Sequence, residues 1–525
     1  MTVFVTLYRL LQGYALIARL KRHGALDALK RLPFVPMSAL VALKVVTFFI
    51  PRRAKVAKTE GERLSAAFAA MGPAYIKLGQ TLAMRPDLVG RDIAEGLSSL
   101  QDRLAPFAFK DVRRQIESAL GDNLDALFAS LDETPVAAAS IAQVHKAVLH
   151  DGRTVAVKVL RPGIERRFQR DLAFFQWLAD TAQKRNTEAR RLRLKEVAAK
   201  VRETCLRETD LRLEASAANE LARNMAGEEG YRIPEMIWSH TGASVLCLEW
   251  IDGVRFSDTK ALEAAGHDLI ALSRRIVQVF LKQAMRDGYF HADLHRGNLL
   301  VKADGTIAAV DFGIMGRLPK SDRRFLAEIL YGFIQRDYHR VAQVHFDAGY
   351  VPASQNLDDF AQALRAIADP IMDLPVNQIS AAKLLAQLFA TTERFSMQAQ
   401  PQLIVLQRTM MMSEGLALHL NPSANLWEVS RPVLEDWMRD NLSPEVQLAD
   451  FIKSLPQRAE RISRLLDGAD ALVRMANTFE TAGTPNSAAG HMAGGDDQPA
   501  RGTSVVWPLL VGLLVGVLVG AHGPF

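Results

Sequence analysis

Short apolar runs separated by turn residues mark the predicted strands of this chain. Residues 298–301 and 307–310 are short runs, apolar apart from Asn298, and they flank Asp304-Gly305, a turn pair typical of a β-hairpin. Residues 154–160 form a β-branched run and residues 245–248 a shorter apolar one, and both runs predict strands.

Helical patterns cover much of the remaining chain. Residues 161–206 are charged and amphipathic, and residues 320–480 look helical throughout, most clearly at 325–334 and 403–412. The run Met410 to Met412 is interpreted as core packing rather than as a ligand set.

The N-terminal residues combine positive charge with apolar periodicity. Residues 1–60 contain eleven lysines or arginines against two acidic residues, interleaved with apolar residues at helical spacing. This pattern favours an anionic membrane surface or a partner groove over nucleic acid, although a core-packed helix with a basic solvated face fits about as well. Residues 34–50 are mostly apolar, but Lys44 favours an interfacial or protein-packed helix over a membrane span.

The C-terminal residues carry a second membrane-like pattern. Residues 481–504 are rich in Ala, Gly, Pro and Asp, which predicts a flexible tether. Residues 505–521 are uncharged and almost wholly apolar, and a helix of that length would reach ~26 Å, which predicts a transmembrane helix. A buried C-terminal helix is the alternative. Gly512, Gly516 and Gly520 would form a smooth helix face, which predicts a homodimer contact.

Three polar residues around the 298–310 hairpin predict a phosphate and metal site. Asp293 precedes Asn298 by five positions in His-Ala-Asp-Leu-His-Arg-Gly-Asn, the spacing of a kinase catalytic loop, and Asp311 opens Asp-Phe-Gly. The hairpin would bring Asn298 and Asp311 to one Mg²⁺, because hard cations take oxygen ligands. Asp293 would orient or deprotonate the attacking hydroxyl group or water. Any one of these acids could simply cap a turn, so the combination carries the prediction.

A lysine strand and an alanine run lie upstream. Lys158 ends Val-Ala-Val-Lys, the position from which a kinase lysine reaches the α and β phosphates, although an edge strand with a solvated lysine has the same local pattern. The place of a glycine-rich phosphate loop holds the alanine-rich loop, residues Ala137, Ala138, Ala139 and Ser140. Alanine restricts φ to negative values, so nucleotide preference should differ from that of an ordinary kinase. A short helix is the alternative structure for this run.

These motifs resemble the UbiB family of atypical, ABC1/ADCK-like, kinase-like proteins found with ubiquinone (coenzyme Q) biosynthesis. Residues 77–80 match its K-x-G-Q motif, residues 208–210 its E-x-D motif and residues 214–219 its E-A-x-x-x-N segment. The resemblance covers about residues 77–349. Leu294 and Arg296 replace prolines that are usual in the family's catalytic loop, but no carboxylate, lysine or metal-binding amide is lost.

The resemblance implies an α+β, two-lobed, protein-kinase-like fold and a role for each motif. Glu214 would pair with Lys158, and the helix of Lys77 and Gln80 would cover the cleft where a protein kinase receives its peptide. The implied regulatory residues are Lys77, Gln80, Glu208 and Asp210. The implied nucleotide-binding residues are the alanine-rich loop, Gln143, Val144, Lys158 and Glu249 at the hinge. The implied cofactors are ATP or ADP and Mg²⁺.

The resemblance and the patterns together predict six segments. They are a basic membrane-proximal segment (1–60), a helical extension with the K-x-G-Q motif (61–130), a kinase-like N-lobe with a helical insertion (131–250), a C-lobe with a helical extension (251–480), the tether (481–504) and the transmembrane helix (505–521).

Composition adds limits on location and partners. The chain has 525 residues, a net charge of +6, 49% hydrophobic residues and two cysteines. Cys205 and Cys247 lack metal-ligand spacing and are interpreted as reduced core residues, which indicates a cytoplasmic catalytic region. The expected location is the bacterial inner membrane with a C-terminal anchor. Membrane lipid, polyprenyl quinone precursors and other ubiquinone-biosynthesis proteins are the expected partners, without nucleic acid.

The functional hypothesis is a membrane-anchored, Mg²⁺-dependent atypical kinase or ATPase that supports ubiquinone biosynthesis. ATP hydrolysis or phosphorylation of a small molecule is favoured, because the K-x-G-Q helix would fill the peptide site. A protein kinase and a non-catalytic nucleotide-sensing scaffold are the alternatives. A polyprenylphenol hydroxylase is disfavoured, since the sequence has no G-x-G-x-x-G motif and no evident 2-His-1-carboxylate iron set.

Overall fold

A computed structural model of the chain describes residues 2–27, 59–83, 86–98, 100, 105–370, 391, 394–397 and 401–442. The helices that precede the first strand are α1 (Thr2–Arg22), α2 (Glu60–Met71), α3 (Pro73–Ala83), α4 (Pro86–Val89), α5 (Arg91–Ser98), α6 (Phe109–Leu120) and α7 (Leu124–Leu127). A capping box begins α2: the N–H of Glu62 donates to Thr59 Oγ1, and the N–H of Thr59 donates to the Glu62 carboxylate.

Glycines allow the helices of this extension to pack closely. A Cβ on Gly61 would lie 2.8 Å from the Cα of Gly96, so the backbones of α2 and α5 are in direct contact. A Cβ on Gly79, within the K-x-G-Q motif, would lie 2.6 Å from Leu100 and 2.7 Å from Phe68. A larger residue at position 79 would therefore force Leu100 and Phe68 to shift.

The strands form three sheets. They are β1 (Ser130–Leu131), β2 (Ala137–Ala138), β3 (Ala142–Val148), β4 (Thr154–Leu160), β5 (Tyr231–Arg232), β6 (Val245–Glu249), β7 (Val254–Arg255), β8 (Tyr289–His291), β9 (Leu299–Val301), β10 (Ile307–Ala309) and β11 (Met315–Arg317). The first sheet is antiparallel with the order β1-β3-β4-β6, and β2 pairs with β3.

The register of the first sheet positions the lysine strand. Lys158 on β4 lies opposite Val144 on β3 and opposite Leu246 on β6. Val155, Val157 and Val159 alternate with it and are fully buried in a core that also contains α6. Side chains alternate between the two faces of a strand, so Lys158 faces the other side of the sheet. The predicted strands at 154–160 and 245–248 are confirmed.

The second sheet has the order β5-β10-β9-β7, and the third pairs β8 with β11. Strands β9 and β10 are antiparallel, with Ala309 opposite Leu299. Gly305 has φ of +79° in the turn between them, a backbone conformation that glycine adopts without steric cost. The predicted hairpin is confirmed.

The remaining helices are α8 (Ile164–Arg185), α9 (Thr187–Arg191), α10 (Leu194–Arg207), α11 (Leu211–Asn224), α12 (Thr259–Ala264), α13 (Leu269–Leu281), α14 (Lys320–Ile334), α15 (Tyr338–Asp347), α16 (Leu357–Ala368), α17 (Pro401–Leu420) and α18 (Leu426–Leu442). A π-helical turn, Lys282–Asp287, extends α13. The predicted helical stretch at 161–206 is divided into α8, α9 and α10.

Two side-chain predictions have different outcomes. Cys205 and Cys247 are buried and are not joined in a disulfide, as predicted. The interpretation of Met410 and Met411 as core packing is wrong, since their side chains are 37% and 48% exposed. Thr409 and Ser413 lie on the buried face of α17. Apolar and polar residues are mixed around this helix, so its sequence did not indicate which face packs.

Membrane-related predictions are only partly within the described residues. The predicted N-terminal helix is present as α1, with Leu20 buried and Leu11 and Tyr14 exposed. Among the described residues, no helix has both the length and the apolar character needed to cross a bilayer. The predicted helix at 34–50, the tether and the 505–521 helix, with Gly512, Gly516 and Gly520, lie outside the described residues.

Candidate functional site

Lys158 lies at the centre of an ion-pair cluster. Its ammonium group donates to the two carboxylate oxygens of Glu214 at 2.7 and 3.0 Å and to Asp311 Oδ2 at 2.9 Å. The side chains of Lys158 and Glu214 are 12% and 8% exposed, whereas that of Asp311 is 41% exposed. Strand β4, helix α11 and the Asp-Phe-Gly turn therefore meet at one nitrogen atom, and one of the two carboxylates remains accessible to a ligand.

Burial and charge act in opposite directions in this cluster. Burial alone would lower the pKa of Lys158, but the Asp311 and Glu214 carboxylates raise it above the ordinary value. Partial burial of Asp311 would raise the pKa of its carboxyl group. The Lys158 ammonium and the N–H of Gly313 nevertheless lower that pKa overall. Burial raises the pKa of Glu214, although Lys158 opposes that shift. Lys158 and Asp311 are thus held in their charged forms.

The alanine-rich loop begins as a strand and turn, not as a helix. Ala137 and Ala138 pair with Val144 and Gln143 on β3, and the N–H of Ala139 donates to the carbonyl oxygen of Ala142 at 2.8 Å. None of residues 137–142 has a positive φ, in agreement with the restriction expected for alanine. The backbone here does not adopt the conformations that glycine makes available in a phosphate-binding loop.

Three further residues with an implied nucleotide role have different environments. Gln143 is 1% exposed, and its amide group bonds to the backbone of Phe107 and to the ring of His145. Val144 is half-buried and lies opposite Lys158. The Glu249 carboxylate accepts two hydrogen bonds from Arg232 at 2.8 Å. The side chains of Gln143 and Glu249 thus already have protein partners.

His291 connects two segments. One is the loop of residues 291–298, called the catalytic loop for its kinase-like spacing, and the other is the Asp-Phe-Gly turn. It is fully buried, its Nε2 lies 2.6 Å from the carbonyl oxygen of Asp311, and the N–H of Asp293 donates to its Nδ1 at 3.1 Å. An Nδ1 that accepts must be unprotonated, so Nε2 carries the proton and the ring is neutral. Burial also lowers the pKa of His291. The side-chain oxygen of Gln283 accepts the N–H of His291 at 3.1 Å.

Asp293 has two cationic or potentially cationic neighbours. His295 Nε2 lies 3.8 Å from one of its carboxylate oxygens, and Arg408 Nη2 lies 3.9 Å from the other. Arg408 belongs to α17, which also contacts the catalytic loop through a bond from Thr409 Oγ1 to the carbonyl oxygen of Ala292 at 3.4 Å. Arg408 could not be predicted from the sequence, because no spacing or motif relates it to Asp293.

Asn298 and Asp311 lie at neighbouring places in the backbone. The N–H of Val310 donates to the carbonyl oxygen of Asn298 at 3.0 Å, which brings the residue before Asp311 against Asn298. Asn298 Nδ2 donates to the carbonyl oxygen of Asp293 at 3.2 Å, so its other side-chain atom, an oxygen, is the candidate ligand.

The oxygen atoms of Asn298 and Asp311 fit Mg²⁺ better than they fit a metal ion whose ligands all come from the protein. In the described part of the chain, no group of three His, Cys, Asp or Glu side chains is arranged to hold a metal ion. One carboxylate and one amide oxygen suit Mg²⁺, which keeps several waters and takes phosphate oxygens as further ligands. The residues present are therefore compatible with a magnesium–nucleotide complex.

The K-x-G-Q helix is joined to the residues before α11. Lys77 Nζ lies 2.9 Å from Glu208 Oε1, and both side chains are about nine-tenths buried, at 10% and 8% exposed. Asp210 caps α11 by accepting the N–H of Arg212 and also pairs with the Arg212 guanidinium at 2.7 Å. Gln80 is half-buried. Lys77 thus contacts the segment that leads into the helix of Glu214, whereas Asp210 has a local capping role.

Comparison with known proteins gives consistent results at two levels. A family model described as the ABC1 atypical kinase-like domain matches residues 99–345, and one described as the UbiB helical domain matches residues 364–425. A protein of Aeromonas hydrophila named "Probable protein kinase UbiB" is 40% identical over 457 residues, which cover 86% of this chain and 83% of the relative. A protein of Marinobacter nauticus with the same name is 40% identical over 435 residues, 82% of this chain and 80% of the relative.

A solved structure supports the fold. The complex of Rv3197 with erythromycin from Mycobacterium tuberculosis has a TM-score of 0.51 and 22% sequence identity, and the match covers 76% of this chain and 95% of that one. A likeness at this identity concerns the fold alone. The residue-level geometry, the two family models and the identity to curated relatives agree, and the chain belongs to the UbiB family of atypical kinase-like proteins.

Proposed function

We propose that this protein is a Mg²⁺-dependent ATPase or small-molecule kinase that supports ubiquinone biosynthesis at a membrane. The observation that carries the proposal is the position of Lys158 between Glu214 and Asp311, at 2.7 and 2.9 Å. A lysine held by one buried carboxylate and one accessible carboxylate is suited to exchange the accessible partner for a phosphate group. The family link to ubiquinone biosynthesis supports the metabolic assignment.

Each residue of the site has a proposed role. Lys158 would bind the nucleotide phosphates, with Glu214 holding its ammonium group in place. The alanine-rich loop would cover the nucleotide, and Asn298 and Asp311 would hold Mg²⁺, which supplies positive charge to the phosphate oxygens when bound. Asp293 would orient the acceptor hydroxyl or a water molecule. His291 would hold the backbone of Asp293 and that of Asp311 in a fixed relation.

The proposed location and partners follow from the ends of the chain. The basic helix α1 and the apolar residues 505–521 favour the bacterial inner membrane, with the catalytic region in the cytoplasm. Membrane lipid and polyprenyl quinone precursors are the proposed ligands of that setting. A homodimer through Gly512, Gly516 and Gly520 is proposed for the C-terminal segment.

The test is ATP turnover by the full-length protein in lipid nanodiscs with Mg²⁺. Asp311→Asn should reduce turnover ~100-fold or more, because it removes a metal ligand and a charge partner of Lys158. Asp304→Asn is the matched control, since Asp304 is a 60% exposed carboxylate in the turn that follows β9. Equal turnover in the wild type and in Asp311→Asn would overturn the assignment.

Transfer to a polypeptide is the second candidate function. The curated relatives are named probable protein kinases, which favours testing it directly. Labelled ATP would be incubated with the protein and a membrane extract. Label in proteins with the wild type, and its loss with Asp311→Asn, would support the protein-kinase function over hydrolysis or small-molecule transfer.

A further inference from the structure

Arg161 connects two segments that are distant in the sequence. Its Nε and Nη2 both donate to the carbonyl oxygen of Ala139, at 3.3 and 2.9 Å, and Nη2 also donates to the carbonyl oxygen of Ala105 at 2.8 Å. Ala139 belongs to the alanine-rich loop. Ala105 begins what we call the linker segment, residues 105–107, which precedes α6 and follows the helices that carry the K-x-G-Q motif.

The linker segment is also bound to β3. Gln143 Oε1 accepts the N–H of Phe107 at 2.9 Å, and Gln143 Nε2 donates to the carbonyl oxygen of Phe107 at 3.3 Å. The guanidinium carbon of Arg161 lies 5.4 Å from the centre of the Phe107 ring, within range of a cation–π interaction. Gln143 is in turn held by His145, whose ring is fully buried. The linker segment therefore contacts the sheet through both Arg161 and Gln143.

The position of Arg161 relates these contacts to the nucleotide site. It directly follows β4, the strand that carries Lys158, and its own N–H donates to the carbonyl oxygen of Ile141 at 2.8 Å. The alanine-rich loop lacks glycine, so its backbone has few alternative conformations. The guanidinium of Arg161 binds the Ala139 carbonyl oxygen and limits these conformations further. Because Nη2 donates to both carbonyl oxygens, a movement of this side chain away from Ala139 would also weaken its contact with the linker segment.

We propose that Arg161 is a positioning residue that holds the alanine-rich loop against the linker segment, so that nucleotide affinity depends on how the K-x-G-Q extension is attached. The inference rests on the proposed nucleotide site. Two hydrogen-bonded carbonyl groups require the planar, multiply donating guanidinium, and the single ammonium of a lysine does not reproduce that geometry. Arg161 touches no reacting group and acts through the loop.

The test uses the full-length protein and three variants, Arg161→Met, Arg161→Lys and Arg113→Met. Arg113 is the matched control: it lies on α6, its side chain is 45% exposed, and its guanidinium lies 4.0 Å from the carboxylate of Glu117. Hydrogen exchange is measured at the N–H groups of Ala139 and Phe107 without nucleotide. Dissociation constants are measured for Mg-ATP and Mg-ADP, and the melting temperature is recorded.

We expect exchange at Ala139 and Phe107 to rise together by ~10-fold in Arg161→Met, because the three charge-assisted hydrogen bonds to the two carbonyl groups are lost. The dissociation constants should rise by a similar factor, with KM affected more than kcat. Arg161→Lys should also raise exchange at both N–H groups, by a smaller factor. This variant is the test if Arg161→Met does not fold. Arg113→Met should match the wild type.

Two results would overturn the proposal. One is unchanged exchange at both N–H groups in a folded Arg161 variant, and the other is a rise at only one of them, which would mean that the two segments are not coupled. Failure of the proposed function is distinguishable from either: a wild type that neither binds nor turns over ATP rejects the nucleotide site, while the exchange measurement still reports on the coupling.

Discussion

His291 and Asp311 are joined by a hydrogen bond of 2.6 Å from the imidazole Nε2 to the main-chain oxygen, and the imidazole is fully buried. The same ring accepts the N–H of Asp293. One neutral imidazole therefore sets the relative position of the proposed acceptor-orienting residue and the proposed metal ligand. Protonation of that ring would place a positive charge in a buried site and remove the acceptor on Nδ1.

This arrangement predicts a loss of stability in mild acid. Burial lowers the pKa of His145, His291 and His345 below the ordinary 6.5. Just below pH 6.5 the unfolded chain therefore binds more protons than the folded one. The contribution of these histidines to the free energy of unfolding is complete above that pH and is lost as the pH decreases. Melting temperatures should decline from pH 7 to pH 5. His291→Gln should make the decline shallower, whereas a replacement of the 65% exposed His339 should not.

Lys158→Met should affect both turnover and stability. It removes the proposed phosphate-binding charge, for which we expect a loss of ~100-fold or more in ATP turnover. It also leaves the nearly buried Glu214 carboxylate without its ammonium partner, at a cost of ~3 kcal/mol in the free energy of unfolding. Lys158→Arg should recover more of the stability than of the turnover. Normal turnover in the methionine variant, measured beside urea unfolding, would contradict the role of Lys158.

Arg408→Ala should reduce turnover with little effect on stability. Arg408 is 45% exposed and 3.9 Å from Asp293, and exposed ion pairs contribute less than ~1 kcal/mol. A cation beside Asp293 would still favour charge that develops on a transferred phosphoryl group, so we expect kcat to fall ~10-fold. Arg439→Ala on α18, where the side chain is 72% exposed and pairs with Asp436, is the control. An unchanged kcat would leave Arg408 with no catalytic role.

Gly79→Ala should destabilise the helical extension. The added methyl group would lie 2.6 Å from Leu100 and 2.7 Å from Phe68, so the packing of α3 must shift, at a cost of ~1–3 kcal/mol. Gly415→Ala is the matched control on α17, because, apart from the neighbouring backbone of its own helix, its methyl group would meet no atom of the described residues within 4 Å. That control should be neutral or raise the free energy of unfolding by ~0.5–1 kcal/mol. Equal melting temperatures for the two variants would contradict the close packing.

Local spacing was sufficient for part of the site. The order Asp293, Asn298, hairpin, Asp311 could be recognised in the sequence, because a hairpin with an Asp-Gly turn brings its two ends together whatever surrounds it. The strand of Lys158 was recognisable from its β-branched residues, because such residues favour an extended backbone. The pairing of Lys158 with Glu214 depended on family resemblance, since 56 positions and three helices separate the two residues.

Tertiary packing decided the rest. Arg408 reaches Asp293 because α17 packs against the catalytic loop, and Arg161 reaches Ala105 because the linker segment lies along β3; neither contact has a periodic or short-range signal. The exposure of Met410 and Met411 depended likewise on which face of a helix with mixed apolar and polar residues was covered. Sequence determines contacts that local backbone geometry enforces, whereas contacts between distant segments depend on how the whole chain packs.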